Sequence, residues 1–390
     1  MTRIAFYAPL KSPRHPNPSG DRTIARLFLA AWRRQGAQVE LASQLRTRIA
    51  KADPRLQQQL ANRAQATAAR LVAQYRQRAK AERPQLWFTY HSYYKAVDWI
   101  GPKVAAALDI PYLLAEASHA PKRAEGDWAF NHRGAEAAIK AARQIFCLNP
   151  SDKECLRPIV DRSRLVDLPP FLDLAAFAPA LPDRAKAKTV LARTAIARRH
   201  RLDPAQPWLL AVGMMRPGDK LASYRELATA LTILGQRRRW RLLIVGDGAA
   251  RAEVAAAFAG FGDRVLFLGR RAPEDLPAIY AAADLMVWPA VNEAFGMALL
   301  EAQACGLPVL AGAIGGVPAI ISAGRDGRAR TGWLAPPHRP DAFAALLGEA
   351  LESDLDTIGR AARRSVEQYH DIASAAGVLA ESLRKLGVQP

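Results

Sequence analysis

Cysteine is scarce in this sequence, with three residues in 390: Cys147, Cys155 and Cys305. An odd number with no C-x-x-C pair and no Cys/His ligand spacing indicates neither a disulfide framework nor a zinc site, and predicts a reducing compartment. Long apolar runs are missing too. None reaches the roughly 18 residues needed to span a bilayer. The opening Met1-Thr-Arg-Ile-Ala-Phe-Tyr-Ala-Pro-Leu has no cleavage-like site and reads as a first β-strand, which predicts a cytoplasmic protein. Acids are few, 36 against 55 lysines and arginines, for a net charge of +19 and a pI near 10.3. That surplus calls for an anionic partner: nucleic acid, an anionic membrane face or a phosphorylated small molecule. No stretch resembles a recognition helix, a zinc module or an aromatic-rich RNA-binding strand, so nucleic acid is kept only as a remote alternative.

What the sequence has is core. Half of it is hydrophobic, and 390 residues exceed what one domain usually closes around. Short β-branched or aromatic runs alternate with long Ala/Leu/Arg-rich stretches of helical period, the pattern of β-α-β units and a parallel sheet. Strands are expected at 3–8, 38–42, 85–90, 111–115, 144–148 and 164–168, and again at 208–213, 241–245, 265–268, 284–288 and 308–311. Between the sets, Leu168-Pro169-Pro170-Phe171 through Pro179 can continue neither helix nor ladder. This predicts two doubly wound domains, 1–174 and 175–370, with a C-terminal helix in 371–390 packing back on the first. Ligand is expected in a cleft at the carboxyl ends of their strands.

One predicted helix stands apart. Asp53-Pro54 is a cap and first helical position, and Leu56, Leu60, Ala64, Leu71, Tyr75 and Ala79 trace an apolar stripe. Its other face is basic. A solvated helix packed on the sheet is the plain reading of 54–83, and docking to an anionic membrane surface is the alternative.

The chemistry concentrates in Pro289-Ala-Val-Asn292-Glu293-Ala294-Phe295-Gly296-Met297-Ala-Leu-Leu-Glu301. A strand ends at Trp288, and a helix is expected to start near Phe295. The amides of Phe295, Gly296 and Met297 would then form an anion-binding helix start. Glu293 in the turn and Glu301 about two helical turns on can grip different parts of one extended ligand. Upstream, Arg216 can fork onto phosphate oxygens and Lys220 adds a point charge, the pair needed where a diphosphate leaving group gathers negative charge.

The segment resembles the E-x7-E signature of retaining GT-B glycosyltransferases of the family 4 type (glycosyl transferases group 1). In the same order, Val212-Gly213-Met-Met-Arg216-Pro-Gly-Asp-Lys220 resembles the family's strand followed by Gly, Arg and Lys. Val245-Gly246-Asp247-Gly248 resembles its second nucleotide loop, Leu268-Gly269-Arg270 its base-contacting loop, and Gly312-Ala-Ile-Gly315-Gly316-Val-Pro318 its glycine turn, with Thr331-Gly332-Trp-Leu beyond. The resemblance implies two Rossmann-like domains of the GT-B fold and a hexosyltransferase-type enzyme. The donor would be a UDP- or GDP-sugar, with no tightly bound cofactor and no metal. It implies that Glu293 bonds the donor sugar hydroxyls, Glu301 the ribose, and backbone around Arg270 the base, with configuration retained and no protein nucleophile. The expected acceptor is a glycan or lipid-linked hydroxyl in cell-surface polysaccharide or glycolipid synthesis, at the inner membrane face.

In the first domain, Pro18-Ser19-Gly20-Asp21-Arg22 looks like the family's flexible glycine loop. His119, just past the fourth strand, is the expected residue facing the reacting sugar, with Glu116 and His91 as substitutes. Leu221, Ala319 and Pro170-Phe171 depart from the family pattern and bear on loop geometry and donor identity. Asp354-Leu-Asp356 is formally a metal-type D-x-D pair, but its place in a C-terminal helical region argues against that use. A nucleotide-sugar epimerase or a non-catalytic nucleotide-sugar binder is the alternative to a transferase.

Overall fold

The computed structural model describes residues 1–388 except 18, 181–187, 236–237 and 325–326; Pro18 of the expected glycine loop thus lies outside the described residues. The chain forms two compact units, residues 1–169 with 372–390, and residues 170–371.

The first unit runs β1 (Arg3–Tyr7), α1 (Gly20–Arg34), β2 (Gln38–Ser43), α2 (Pro54–Gln77), β3 (Leu86–Ser92), α3 (Gly101–Leu108), β4 (Tyr112–Ala117), α4 (Ala129–Ala141), β5 (Gln144–Cys147), α5 (Pro150–Leu156) and β6 (Leu165–Asp167). The second runs α6 (Lys188–His200), β7 (Trp208–Val212), α7 (Asp219–Leu234), β8 (Arg241–Val245), α8 (Arg251–Ala257), β9 (Val265–Gly269), α9 (Leu276–Ala282), β10 (Leu285–Trp288), α10 (Met297–Ala304), β11 (Val309–Gly312), α11 (Val317–Ile320), β12 (Gly332–Ala335), α12 (Pro340–Glu352) and α13 (Leu355–Tyr369). The last helix, α14 (Ile372–Lys385), belongs to the first unit and packs on α1.

Each unit holds a six-stranded parallel sheet, ordered β2-β1-β3-β4-β5-β6 in the first and β12-β11-β10-β7-β8-β9 in the second. The central strands read as unbroken apolar runs, as strands covered on both faces must. Trp208–Ala211 and Leu285–Trp288 are all buried. The second order is the dinucleotide-binding one, and it reverses between β7 and β10. The first reverses between β1 and β3. Loops leaving the carboxyl ends of strands at a reversal diverge and open a crevice in which such sheets hold ligands.

Three expectations are corrected. The stripe on α2 excludes Leu56, which is 38% exposed, and Ala79, which lies past the helix end. Gln57 is buried in place of Leu56, because its amide donates to the Asp127 carbonyl at 2.7 Å and its side-chain oxygen accepts from Asn131 N at 3.2 Å. Gly20 opens α1, and Asp21 lies in its first turn, with no glycine loop between. The cause is Ser19, whose Oγ caps the helix by accepting from Arg22 N. Helix α10 begins at Met297, because Gly296 sits at φ +71°, a left-handed conformation that stops helix propagation toward Phe295.

Candidate functional site

In the second unit, the β7–α7 and β10–α10 loops leave the two strands at the reversal; they carry Arg216, Asn292 and Glu293, and Lys220 follows in the first turn of α7. Lys220 forms an ion pair with Glu293. The same carboxylate oxygen of Glu293 accepts from Trp288 Nε1 at 3.2 Å, and Lys220 Nζ lies 5.1 Å from the centre of the Trp288 ring. Asn292 Nδ2 donates to Asp219 Oδ2 at 2.8 Å, and Ser223 Oγ accepts from Val291 N at 3.0 Å, so α7 carries the β10 loop at three points. Ala290 and Asn292 both have positive φ, +60° and +51°. Such backbone costs on the order of 1 kcal/mol at a non-glycine residue. It shapes the turn that presents Glu293.

The neighbouring loops are stitched to these. Gly213 N donates to the Val245 carbonyl, Met215 N to the Asp247 carbonyl and Gly246 N to the Gly269 carbonyl, each at 3.0 Å. This row brings Gly213, Gly246 and Asp247 together and sets Arg270 next in line, with Arg216, Asp247 and Arg270 exposed. On the other side, Gly316 N donates to the Ala294 carbonyl at 2.8 Å. Gly315, at φ +57°, lies so close beneath the turn that a Cβ there would collide with the Glu293 carbonyl oxygen. The glycine turn is a seat for the Glu293 loop.

Glu301 sits inside α10, where its carboxylate accepts from the Tyr280 hydroxyl of α9 at 2.9 Å. Burial lifts its pKa to about 7, against the pull of that hydrogen bond. Ala294 is exposed, Phe295 and Gly296 are buried, and Met297 is half-buried at the first turn of α10, whose leading amides lack helical acceptors. Asp354 of the D-x-D pair caps α13, accepting from Thr357 N at 3.1 Å.

In the first unit, the three candidates separate into two groups. His91 ends β3 and Glu116 lies near the end of β4, both at positive φ. His91 Nδ1 lies 3.2 Å from Asp21 Oδ1 and 3.3 Å from Glu116 Oε1. Burial disfavours a charged imidazole, but the carboxylates of Glu116 and Asp21 outweigh it and raise the His91 pKa. The carboxyl of Glu116 is raised by burial in spite of His91. His119 is elsewhere, stacked against His132 of α4 with ring centres 5.1 Å apart and Glu136 beside both. Trp288, Tyr280, Asp219 and Ser223 were not expected. The polar ends of the two aromatics have no sequence signature, and Asp219 and Ser223 gain their roles only from the loop that α7 packs against.

Residues 206–353 match the family described as glycosyl transferases group 1. The chain is 35% identical over 210 residues to the D-inositol 3-phosphate glycosyltransferase of Mycolicibacterium gilvum, covering 52% of this chain. It is 32% identical over 301 residues, 70% of this chain, to that of Kineococcus radiotolerans. It spans 42% of the first relative's length and 66% of the second's, under two thirds of either. Among solved structures, it resembles the Anabaena HepE protein in complex with UDP, with TM-score 0.73, 18% identity and coverage of 99% of this chain and 100% of that one. That likeness shows the GT-B fold.

Proposed function

We propose that this chain, whose residues 206–353 match the glycosyl transferases group 1 family, transfers a hexose, with retained configuration, from a nucleotide-diphosphate sugar to a hydroxyl of a glycan or lipid-linked acceptor. The observation that carries the reading is the Lys220–Glu293–Trp288 constellation at the strand reversal. A carboxylate held between a cation and an indole N–H has its second oxygen left for sugar hydroxyls. The cation beside it is placed for a phosphate group.

The residues divide the work as the chemistry requires. Arg216 and Lys220 neutralise the diphosphate, and they act most strongly as its charge rises during bond breaking, which is the condition for speeding the step. The first turn of α10 adds backbone amides toward a phosphate. Glu293 orients the sugar, Asn292 ties that turn to α7, and Glu301 receives the ribose hydroxyls. Gly213, Gly246, Asp247 and backbone at Arg270 line the nucleotide. UDP and GDP sugars are the donor candidates; the complex of HepE with UDP favours testing UDP-sugars first.

In the first unit, we assign the sugar-facing role to His91. It is held between Asp21 and Glu116, and a charged imidazole there can donate a hydrogen bond to a sugar hydroxyl. The exposed arginines of α2, including Arg55, Arg63 and Arg70, suit an acceptor embedded in an anionic membrane face in surface glycan or glycolipid assembly. No helix among the described residues is long and apolar enough to cross a membrane.

The test is incubation with radiolabelled nucleotide sugars and lipid or glycan acceptors, using wild type and Glu293→Gln. The proposal expects sugar transfer that falls at least about 100-fold in the variant, whose fold and melting temperature persist, in keeping with loss of a transition-state contact. Epimerised donor, or tight binding without turnover, would support the alternatives, and wild-type activity in Glu293→Gln would refute the site.

A further inference from the structure

A second polar cluster lies in the first unit and plays no part in the reading above. His119, in the loop after β4, meets His132 and Glu136, which are one turn apart on α4. Glu136 Oε2 is 3.5 Å from His119 Nε2 and 3.6 Å from His132 Nε2, and the three donor atoms lie within 4.8 Å of one another. Both imidazoles are almost fully enclosed, with side-chain exposures of 8% and 5%, while Glu136 is 28% exposed and opens the cluster to solvent.

Two observations point to a missing occupant. First, both ring nitrogens of His119 are buried and neither makes a hydrogen bond. A neutral imidazole carries one N–H and one lone pair; Nε2 has only the long 3.5 Å approach to Glu136 and Nδ1 has no hydrogen-bond partner, and leaving a buried polar group unmatched costs on the order of 1–3 kcal/mol. Second, the spacing fits. A tetrahedral ion with ligands at about 2.0–2.1 Å has ligand-to-ligand edges of about 3.3–3.4 Å, close to the two measured nitrogen–oxygen separations. The other oxygen of Glu136 is ion-paired with Lys140, which fixes the carboxylate with Oε2 toward the histidines, an outer contact of the kind that orients metal ligands.

We infer that His119, His132 and Glu136 form a site for a divalent transition ion of the zinc class. Two imidazoles and one carboxylate suit zinc or cobalt, while calcium and magnesium prefer all-oxygen shells. The ion clips the Ser118–Trp128 segment to α4, closing a loop of fourteen residues from His119 to His132. Three protein ligands leave a fourth position on the exposed Glu136 side for water. The site was invisible to a search for short ligand spacings, since only His132-x-x-x-Glu136 is local and its third member comes from another element.

The experiment uses the full chain, stripped with a chelator and titrated with cobalt(II), followed by its visible absorption and by zinc competition. The expected result is one equivalent bound. Affinity in Glu136→Gln and His132→Ala should fall by more than the roughly 10–100-fold typical of losing an outer contact. His338→Ala, which breaks an exposed histidine–carboxylate pair with Glu226, should bind as wild type does. Zinc should also raise the melting temperature of wild type but not of Glu136→Gln. X-ray absorption on the zinc-loaded wild type should count two imidazoles, a readout that needs no variant to fold. Absence of stoichiometric binding, unchanged affinity in both ligand variants, or an ion bound without two imidazoles would overturn the inference. None of these outcomes touches the nucleotide-sugar reading, whose residues lie in other clusters.

Discussion

Glu301 works against stability, and on the proposed reading it serves binding. Its carboxyl sits near 7 in the folded chain, because burial disfavours the charge, against 4.5 as the ordinary value. A group raised in this way takes up its proton more readily when folded. Its charge therefore costs nothing below about pH 4.5, destabilises increasingly up to pH 7, and imposes its full cost above that. Glu301→Gln should then stabilise the ligand-free protein at pH 8 by up to about 2–3 kcal/mol and have little effect at pH 4.5, while weakening nucleotide-sugar affinity. Urea unfolding at both pH values checks this, and an equal difference at the two would contradict it. Legibility at this scale followed motif order. Glu293, Arg216 and Lys220 were readable through the order of the family motifs in which they stand, since two glutamates, or an arginine and a lysine four apart, are by themselves ordinary turn and helix surface. The choice between His91 and His119 was not readable, because each stands at or shortly past the carboxyl end of a strand. Only the fold shows that Asp21 and Glu116 converge on His91.

At the level of elements, turns decide where these groups point. The Glu293 turn holds two residues of positive φ and rests on Gly315, whose φ of +57° and contact with the Glu293 carbonyl leave no room for a side chain. Gly315→Ala should cost about 1–2 kcal/mol in backbone conformation alone, more from the collision, and should lower transfer by displacing Glu293. Gly36→Ala is the control. It has the same sign of φ but open space around it, so it should show the conformational cost with no loss of activity. Thermal melts and transfer rates of the two variants separate these effects. Strands were legible because their apolar runs are continuous, as in Trp208–Val212. β12 was seen only as the Thr331-Gly332-Trp-Leu motif, since four residues with an opening glycine give no periodic signal. The start of α10 was misjudged by two residues, because a left-handed glycine is a conformation and not a composition.

Across the whole molecule, each unit repeats one plan, a parallel sheet whose order reverses once, with its polar constellation on the loops at or beside that reversal. Length and the alternation of strand and helix patterns led to the expectation of two such units, and the order of motifs placed the expected nucleotide-binding residues in the second. The net charge of +19 foretold only that the partner is anionic, because arginines spread over many helices do not name a ligand. On the proposed reading, Arg216 of the β7–α7 loop, Lys220 in the first turn of α7 and the first turn of α10 make that prediction specific to a diphosphate. Calorimetric titration of UDP and GDP into wild type and into Arg216→Ala/Lys220→Ala is the most direct measurement. The account predicts saturable one-to-one binding of at least one of the two nucleotides. It also predicts at least tenfold weaker affinity in the double variant, equivalent to about 1.4 kcal/mol, with the melting temperature largely kept. Equal affinity in the two proteins, or no binding of either nucleotide to wild type, would contradict it.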